Sequence, residues 1–200
     1  MTGRTKRIVL LNCFRLFPHL IILSFHQNKE IVYADVKRWM NVYGWKHKTT
    51  PGFLRLMITY PEFRNVFYYR IRRRRWQKRW FLNFLCPAVN TLYIKTPTIG
   101  KGLFIQHGFA TIIAALSIGE NFWVNQQVTI GYTTKIDAPV ILDNVTIHAG
   151  AKVLGNVILA NNSIVGANAV VVKNVPADCT VVGVPAYIVK RSGKKVKENL

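Results

Sequence analysis

The sequence predicts a mainly β fold: a parallel β-solenoid of three-sided coils, preceded by an α-helical segment. The first observation is that aliphatic residues recur at every sixth position through much of residues 99–171. This period differs from the 3.6 residues of an α-helix and from the alternation of an isolated strand. The second observation is that residues 1–90 lack this repeat and space their apolar residues as amphipathic helices do.

A chain with a period of six turns through one flat side of a prism per repeat, so that three sides close one coil. Each coil then buries its aliphatic row against the neighbouring coils, as in other solenoids. The longest run predicts the inward-facing residues Ile141, Ile147, Val153, Leu159, Val165 and Val171. An upstream run predicts the same role for Ile99, Ile105, Ile112, Ile118, Val124 and Ile130.

Residues 132–139 interrupt the repeat. Ile130 and Ile141 are eleven residues apart, where two sides of a coil would need twelve. We therefore expect a loop that leaves the coil between these two residues.

The chain is expected to have three segments. Residues 1–90 form a basic, aromatic-rich helical segment, with Asn28 as the N-cap of one helix and further helices beginning at Thr50 and Pro61. Pro87 ends the helical pattern, and residues 91–189 form the β-solenoid domain. Residues 190–200 form a basic tail of low complexity, which we expect to be mobile.

The net charge of +20 is concentrated in the helical segment, where 18 Lys and Arg face 3 Asp and Glu. The excess peaks at residues 70–79, with Trp76 and Trp80 among the basic residues. Such a pattern suits an anionic membrane surface. We favour that partner over nucleic acid, because no nucleic-acid-binding motif accompanies the charges. A solvated basic helix that packs its aromatics on its own chain is an equal alternative.

The cysteines and the hydropathy pattern bear on the compartment. Cys13, Cys86 and Cys179 have neither metal-ligand spacing nor an even count, so we expect free thiols in a reducing compartment. The longest apolar stretch, residues 16–25, falls short of the ~20 residues that span a bilayer. The sequence therefore predicts a cytoplasmic protein, with peripheral contact at the inner membrane surface as an option.

Four stretches of the sequence resemble the hexapeptide-repeat acyltransferases, in particular the branch that includes serine acetyltransferases. These stretches are IGKGLFIQHG at Ile99–Gly108, SIGENFWVNQQVTIG at Ser117–Gly131, IHAGAKVLGNVIL at Ile147–Leu159 and VGVPAYIVK at Val182–Lys190. The resemblance implies a left-handed parallel β-helix that works as a homotrimer. It also implies transfer of acetyl from acetyl-CoA to a hydroxyl group.

The resemblance implies that His107 is the catalytic residue, because it matches the catalytic histidine of the serine acetyltransferase branch. An alcohol is a poor nucleophile near neutral pH and needs a base, for which imidazole is suited. His148 is the rival for this role, although we expect it to face solvent or to line the CoA site.

The resemblance also implies residues that bind acetyl-CoA in a groove between adjacent subunits. Ala149 and Ala167 are small enough to let backbone amides approach the pantetheine, and Lys173 and Lys190 serve the CoA phosphates. The sequence contains no metal-ligand cluster and no motif for a second cofactor, so we expect no metal.

Three groups of the serine acetyltransferase pattern are missing. Gln106 stands where an acidic residue precedes the catalytic histidine, and residues 91–98 contain no supporting carboxylate. Ala138 replaces a histidine before the proline of the protruding loop. Glu120 and Asp137 are then the only nearby carboxylates, and a backbone carbonyl or a neutral side chain must orient His107.

These departures favour a neutral acceptor, a sugar hydroxyl in a cell-surface polysaccharide precursor. The residues expected at the acceptor are Gln106, Asn125 and Gln126, whose amides donate and accept hydrogen bonds. Serine O-acetylation is the alternative among enzymes. An inactive solenoid that scaffolds a membrane glycan assembly is the alternative from another class.

Overall fold

A computed structural model describes residues 3–46, 48–72, 76–134 and 136–200, with the side chains of 3–13 and 76–79 left undescribed. The chain forms two compact units, Met1–Val89 and Asn90–Leu200. The first is helical and the second is built of short strands.

Five α-helices form the first unit. They are α1 (Gly3–Phe25), α2 (Lys29–Val42), α3 (Thr49–Thr59), α4 (Pro61–Arg70) and α5 (Trp76–Leu85). Pro61 occupies the first turn of α4, where its missing N–H costs nothing. Helix α1 continues through Pro18. Asn28 precedes α2 as expected, but its side chain makes no capping bond and donates to the Arg70 carbonyl at 2.8 Å.

The core of the helical unit is aromatic. Trp39 of α2 meets Phe63 of α4 edge to face, with ring centroids 5.2 Å apart. Phe53 of α3 meets Phe67 of α4 at the same distance. All four side chains are fully buried, so these helices are held together by large apolar surfaces in preferred ring geometries.

A buried ion pair joins α2 to α4. Arg70 donates from Nε to Asp35 Oδ2 at 2.8 Å and from Nη2 to Asp35 Oδ1 at 3.2 Å. Both side chains are inaccessible to solvent. The expected membrane-binding run of residues 70–79 is therefore wrong at Arg70, which faces the protein interior. Arg73, Arg74 and Arg75 lie outside the described residues, as do the side chains of residues 76–79.

His19 is a second buried polar residue and lies on α1. Its Nε2 is 3.0 Å from the hydroxyl of Tyr68, whose single O–H lies between the carbonyls of Leu82 and Cys86 at 2.9 and 2.8 Å. Burial lowers the pKa of His19 to about 4, although hydrogen bonds with the backbone of Leu82 and Arg15 partly oppose this shift. The site therefore holds a neutral imidazole between α1, α4 and α5.

Acid should therefore weaken the helical unit. The folded pKa of His19 lies below its ordinary value near 6.5, so its contribution is complete above pH 6.5 and is lost as the pH falls towards about 4. We expect a loss on the order of 2 kcal/mol in the free energy of unfolding across this window. Urea titrations at both ends of the window, followed by helical circular dichroism, measure it. A His19→Gln variant with the same pH dependence would contradict this assignment.

The second unit is a β-solenoid of short strands. Its strands are β1 (Leu92–Ile94), β2 (Phe104–Ile105), β3 (Thr111–Ile113), β4 (Ser117–Ile118), β5 (Trp123–Val124), β6 (Thr129–Gly131), β7 (Val140–Ile141), β8 (Thr146–Ile147), β9 (Lys152–Leu154), β10 (Ile158–Leu159), β11 (Ile164–Val165), β12 (Val170–Val171), β13 (Cys179–Val182), β14 (Tyr187–Arg191) and β15 (Lys194–Asn199). They form three sheets, in the orders β1-β3-β6-β9-β12, β10-β7-β4 and β15-β14-β13-β11-β8-β5-β2. From β2 to β12 the chain visits the three sheets in rotation, one strand per side of each coil.

The inward rows follow the predicted period over most of the solenoid. One row contains Ile105, Val124, Ile147, Val165 and Val181, which pair in register and are all fully buried. The prediction is wrong at Ile112, which is 40% exposed, while Ile113 is fully buried and pairs with Ile130. The physical reason is an insertion between β2 and β3, which the next section describes.

The predicted loop between β6 and β7 is confirmed. Residues 132–134 and 136 are exposed and belong to no strand. The expected mobile tail is wrong, because residues 187–199 form the antiparallel pair β14 and β15 on the edge of the sheet beyond β13. Arg191 of β14 donates to Glu198 of β15 at 2.5 Å. The basic composition of the tail does not predict this contact between the two strands.

Candidate active site

His107 lies at the corner between β2 and β3, where the coil contains two extra residues. Ile105 and Ile113 are eight residues apart, whereas Val124 and Ile130 at the same corner of the next coil are six apart. Gln127 donates its N–H to the Phe109 carbonyl at 3.0 Å, as Gly150 does to the Gln126 carbonyl at 3.1 Å. Phe109 therefore takes the position that Gln126 has one coil later, and His107 with Gly108 forms a two-residue bulge.

The bulge holds His107 in an unusual backbone conformation. Its φ angle is +65°, and Gly108 follows at +66° with its N–H donated to the Gln106 carbonyl at 2.8 Å. Left-handed backbone is uncommon for residues other than Gly, but it recurs at corners of this solenoid, where Asn121, Asn144 and Asn162 have φ angles of +56°, +59° and +60°. The imidazole is exposed to solvent. The structure thus presents His107 outside the regular coil, open to an incoming reactant.

The predicted acceptor residues lie on consecutive coils at this corner. Gln106 and Asn125 each follow a paired strand residue, Ile105 or Val124, so they are neighbours in the stack. The side-chain oxygen Oδ1 of Asn125 accepts a hydrogen bond from Trp123 Nε1 at 2.8 Å. The amide N–H groups of Asn125 take no part in this hydrogen bond with Trp123.

Gln126 has an unmet hydrogen-bonding requirement. Its Oε1 atom is buried and has no hydrogen-bond partner in the described part of the chain. A buried acceptor left unpaired costs about 1–3 kcal/mol, so each such case in a folded protein needs an explanation. A donor from an imidazole or from a bound hydroxyl compound would satisfy this atom.

The two candidate carboxylates, Glu120 and Asp137, bind other residues of the solenoid. Glu120 follows β4 and lies 3.4 Å from Lys101 Nζ, with both side chains exposed. Asp137 accepts the N–H groups of Thr133 and Thr134 at 2.9 and 2.6 Å and also bonds the Thr133 hydroxyl. These hydrogen bonds hold the pKa of Asp137 below its ordinary value. Asp137 therefore stabilises the protruding loop.

The residues predicted to bind acetyl-CoA lie further along the solenoid. Ala149 and Ala167 follow β8 and β11 at the same register position as Gln126, so the three stack on successive coils. Lys173 Nζ donates to the Leu200 carbonyl at 2.7 Å, and Lys190 is exposed on β14.

His148, the rival base, is half-buried and stacks beside Asn125, at a regular corner without a bulge. Across the described ranges, no group of three or more His, Cys, Asp or Glu side chains is placed to hold a metal ion.

Comparison with known proteins shows what this solenoid is similar to. Residues 138–173 match the model of the bacterial transferase hexapeptide (six repeats). A serine acetyltransferase of Bacillus pumilus is 34% identical over 110 residues, which are 50% of this chain and 51% of that protein. The crystal structure of serine acetyltransferase from Neisseria gonorrhoeae is 28% identical, with a TM-score of 0.69 over 86% of this chain and 70% of that chain. The chain is thus similar to the serine acetyltransferases, and its hexapeptide repeats fit the serine acetyltransferase-like branch of the hexapeptide-repeat acyltransferases.

A further solved relative is soybean serine acetyltransferase complexed with serine. It is 27% identical, with a TM-score of 0.67 over 84% of this chain and 72% of that chain. The predicted fold class is confirmed: this hexapeptide-repeat protein is mainly β, a left-handed parallel β-helix after an N-terminal helical segment. The chain spans about half the length of the curated relative it matches.

Sequence reasoning on this hexapeptide-repeat protein missed two features of the corner. The bulge was signalled by the eight-residue spacing from Ile105 to Ile113, which a strict period of six hides because Ile112 is also aliphatic. The unpaired Oε1 atom of Gln126 has no signal in the sequence, because burial of one atom depends on the packed coils around it.

Proposed function

We propose that this protein is an acetyl-CoA-dependent O-acetyltransferase in which His107 is the general base. The observation that carries the proposal is the exposed His107 on a two-residue bulge, in a chain whose relatives are serine acetyltransferases. The same corner of the next coil has no such insertion, so stacking of the coils does not require the bulge that carries His107.

The proposed reaction is a direct transfer. The imidazole of His107 takes the proton of the acceptor hydroxyl while the hydroxyl oxygen attacks the thioester carbonyl of acetyl-CoA. The new C–O bond forms an ester, the C–S bond breaks, and the proton passes from the imidazole to the leaving thiolate. The histidine ends neutral, so no further reactant is consumed.

L-Serine is the acceptor that the comparisons support best. The matched proteins are named serine acetyltransferases, and one of the solved relatives is complexed with serine. We propose serine O-acetylation as the reaction of this chain, in place of the sugar acetylation that the sequence favours.

A neutral sugar hydroxyl is the second candidate, and specific residues favour it. Gln106 stands where the family pattern has an acid, and Glu120 and Asp137 are engaged elsewhere. An ammonium-bearing acceptor therefore has few counter-charges at this corner. The amides of Asn125 and Gln126, including the unpaired Gln126 Oε1, suit the hydroxyls of a precursor of a cell-surface polysaccharide.

Competition between acceptors decides this choice. Thiol release from acetyl-CoA should show a higher kcat/KM with L-serine than with any member of a panel of neutral sugars. A Gln106→Asp variant should raise kcat/KM for serine several-fold, because a carboxylate would face the ammonium group, and should not raise kcat/KM for the sugars. A sugar that exceeds serine with the unmodified protein would establish the second candidate. Absence of turnover with every acceptor would favour an inactive solenoid that acts as a scaffold.

The oligomer and the donor site complete the proposal. We propose a homotrimer, supported by the exposed apolar residues Tyr93 and Ile112, which are neighbours on one face of the solenoid. Acetyl-CoA would lie along the stack of Ala149 and Ala167, with Lys190 and the remaining donors of Lys173 at its phosphates.

We propose a cytoplasmic location, since Cys86 and Cys179 are both buried free thiols. No helix in the described ranges is long and apolar enough to cross a membrane.

A further inference from the structure

Helix α1 is apolar on two opposite faces, and the rest of the helical unit covers only one of them. Leu16, His19 and Leu23 are buried against the other helices. The opposite face carries a row of solvent-exposed apolar residues: Phe14, Phe17, Ile21 and Phe25. We call these four residues the α1 stripe.

The spacing and exposure of the α1 stripe mark it as a continuous surface feature. Its steps of three, four and four residues keep the four side chains within one narrow sector of the helix. Phe14 is 91% exposed and Phe25 is 88% exposed. Burying large aromatic side chains is strongly favourable, so a row of them facing water marks an interaction site.

The neighbouring helix α5 repeats the arrangement. Leu82 and Cys86 are buried, whereas Trp80, Phe81 and Phe84 are exposed. The rings of Trp80 and Phe84 stack at 6.1 Å on the outer side. Arg15 of α1 donates to the Cys86 sulfur at 3.6 Å, directly after α5, so the two helices are adjacent.

The charge of α1, α5 and the residues before α5 indicates what binds to this exposed apolar surface. Residues 3–25 and 71–85 together contain ten Lys and Arg and no Asp or Glu. Phenylalanine and tryptophan rings beside basic residues are the composition of helices that lie in the interface of an anionic bilayer. Nucleic acid fits less well, because the aliphatic Ile21 within the stripe gains nothing from stacking on bases.

We propose that α1 and α5 dock the protein on the surface of an anionic lipid bilayer, with the α1 stripe and the α5 aromatics inserted at the headgroup boundary. The proposal is independent of the acceptor and of the catalytic activity. It differs from the sequence prediction in its main contacts: the inserted row lies on α1, and Arg70 takes no part because it is paired with Asp35.

Vesicle binding tests the proposal. The full chain should co-sediment with vesicles of phosphatidylcholine containing about one third phosphatidylglycerol, and much less with phosphatidylcholine alone. Raising the salt should weaken binding, since exposed charges are screened beyond roughly 10 Å at 0.1 M. A Phe14→Ser/Phe25→Ser variant should bind at least about tenfold more weakly.

The matched control is Leu142→Ser/Ile158→Ser, which removes two exposed apolar side chains from the solenoid and should bind as the unmodified chain does. Circular dichroism confirms that both variants are folded. Equal vesicle binding by both variants would overturn insertion of the stripe and leave a purely electrostatic attraction. Absence of vesicle binding would overturn the proposal too. If the mass in light scattering then fell with Phe14→Ser/Phe25→Ser alone, the stripe would be a contact between copies of the chain.

Discussion

Replacing His107 by Asn should leave the solenoid folded and lower the rate of acetyl transfer by about 10²–10⁴, the usual contribution of a positioned acid–base group. Asn is a better replacement than Ala, because it tolerates the left-handed backbone that this position requires at φ +65°. The amide cannot take the hydroxyl proton, so the loss should appear in kcat. Steady-state thiol release from acetyl-CoA at saturating acceptor measures it.

The control for this experiment is His148→Asn, at the regular corner one coil beyond Asn125. It should change kcat by no more than a few-fold, because His148 does not lie on the bulge. The reverse result, with normal turnover in His107→Asn and a large loss in His148→Asn, would transfer the role of base to His148.

Breaking the buried ion pair of the helical unit should have the largest effect on stability. Replacing Asp35 by Ala leaves the Arg70 guanidinium buried without its counter-charge, which is expected to cost about 3–5 kcal/mol. Urea denaturation followed by helical circular dichroism measures the change. A combined Asp35→Leu/Arg70→Met variant should recover much of this loss, since an apolar pair of similar size needs no charge compensation.

The exposed pair of Lys101 and Glu120 provides the matched control. Glu120→Ala should cost about 0–1 kcal/mol, because solvent already screens both charges. If Asp35→Ala cost no more than Glu120→Ala, the buried pair would not hold α2 to α4.

The solenoid was predictable because its signal is local and repeated. Each inward residue of the row from Ile105 to Val181 occupies an equivalent place, so one period defines many positions. The prediction failed at Ile112, where two inserted residues shift the inward position to Ile113. That failure coincides with the proposed site at His107, and functional sites are where departures from a regular pattern are expected.

The features that could not be predicted from the sequence depend on contacts between residues far apart in the chain. Arg70 pairs with Asp35, which lies 35 positions away in the sequence. The run of arginines that begins at Arg70 therefore gives no sign that its first member faces the interior. The hairpin of β14 and β15 forms because β13 offers an open strand edge to a tail that looks featureless by composition. The catalytic candidate, by contrast, was recognisable from its motif, since His107 lies within a matching stretch.

The most direct test of the account is the stoichiometry of acetyl transfer by the unmodified protein. With acetyl-CoA and L-serine, or with the sugar that proves the better acceptor, each released thiol should be matched by one O-acetyl ester, detected by mass spectrometry of the acceptor. Omitting the acceptor should abolish thiol release, because the role proposed for His107 is to activate a hydroxyl of the acceptor. Thiol release that continues without acceptor, or the absence of any ester from a folded protein, would contradict the assignment as an O-acetyltransferase.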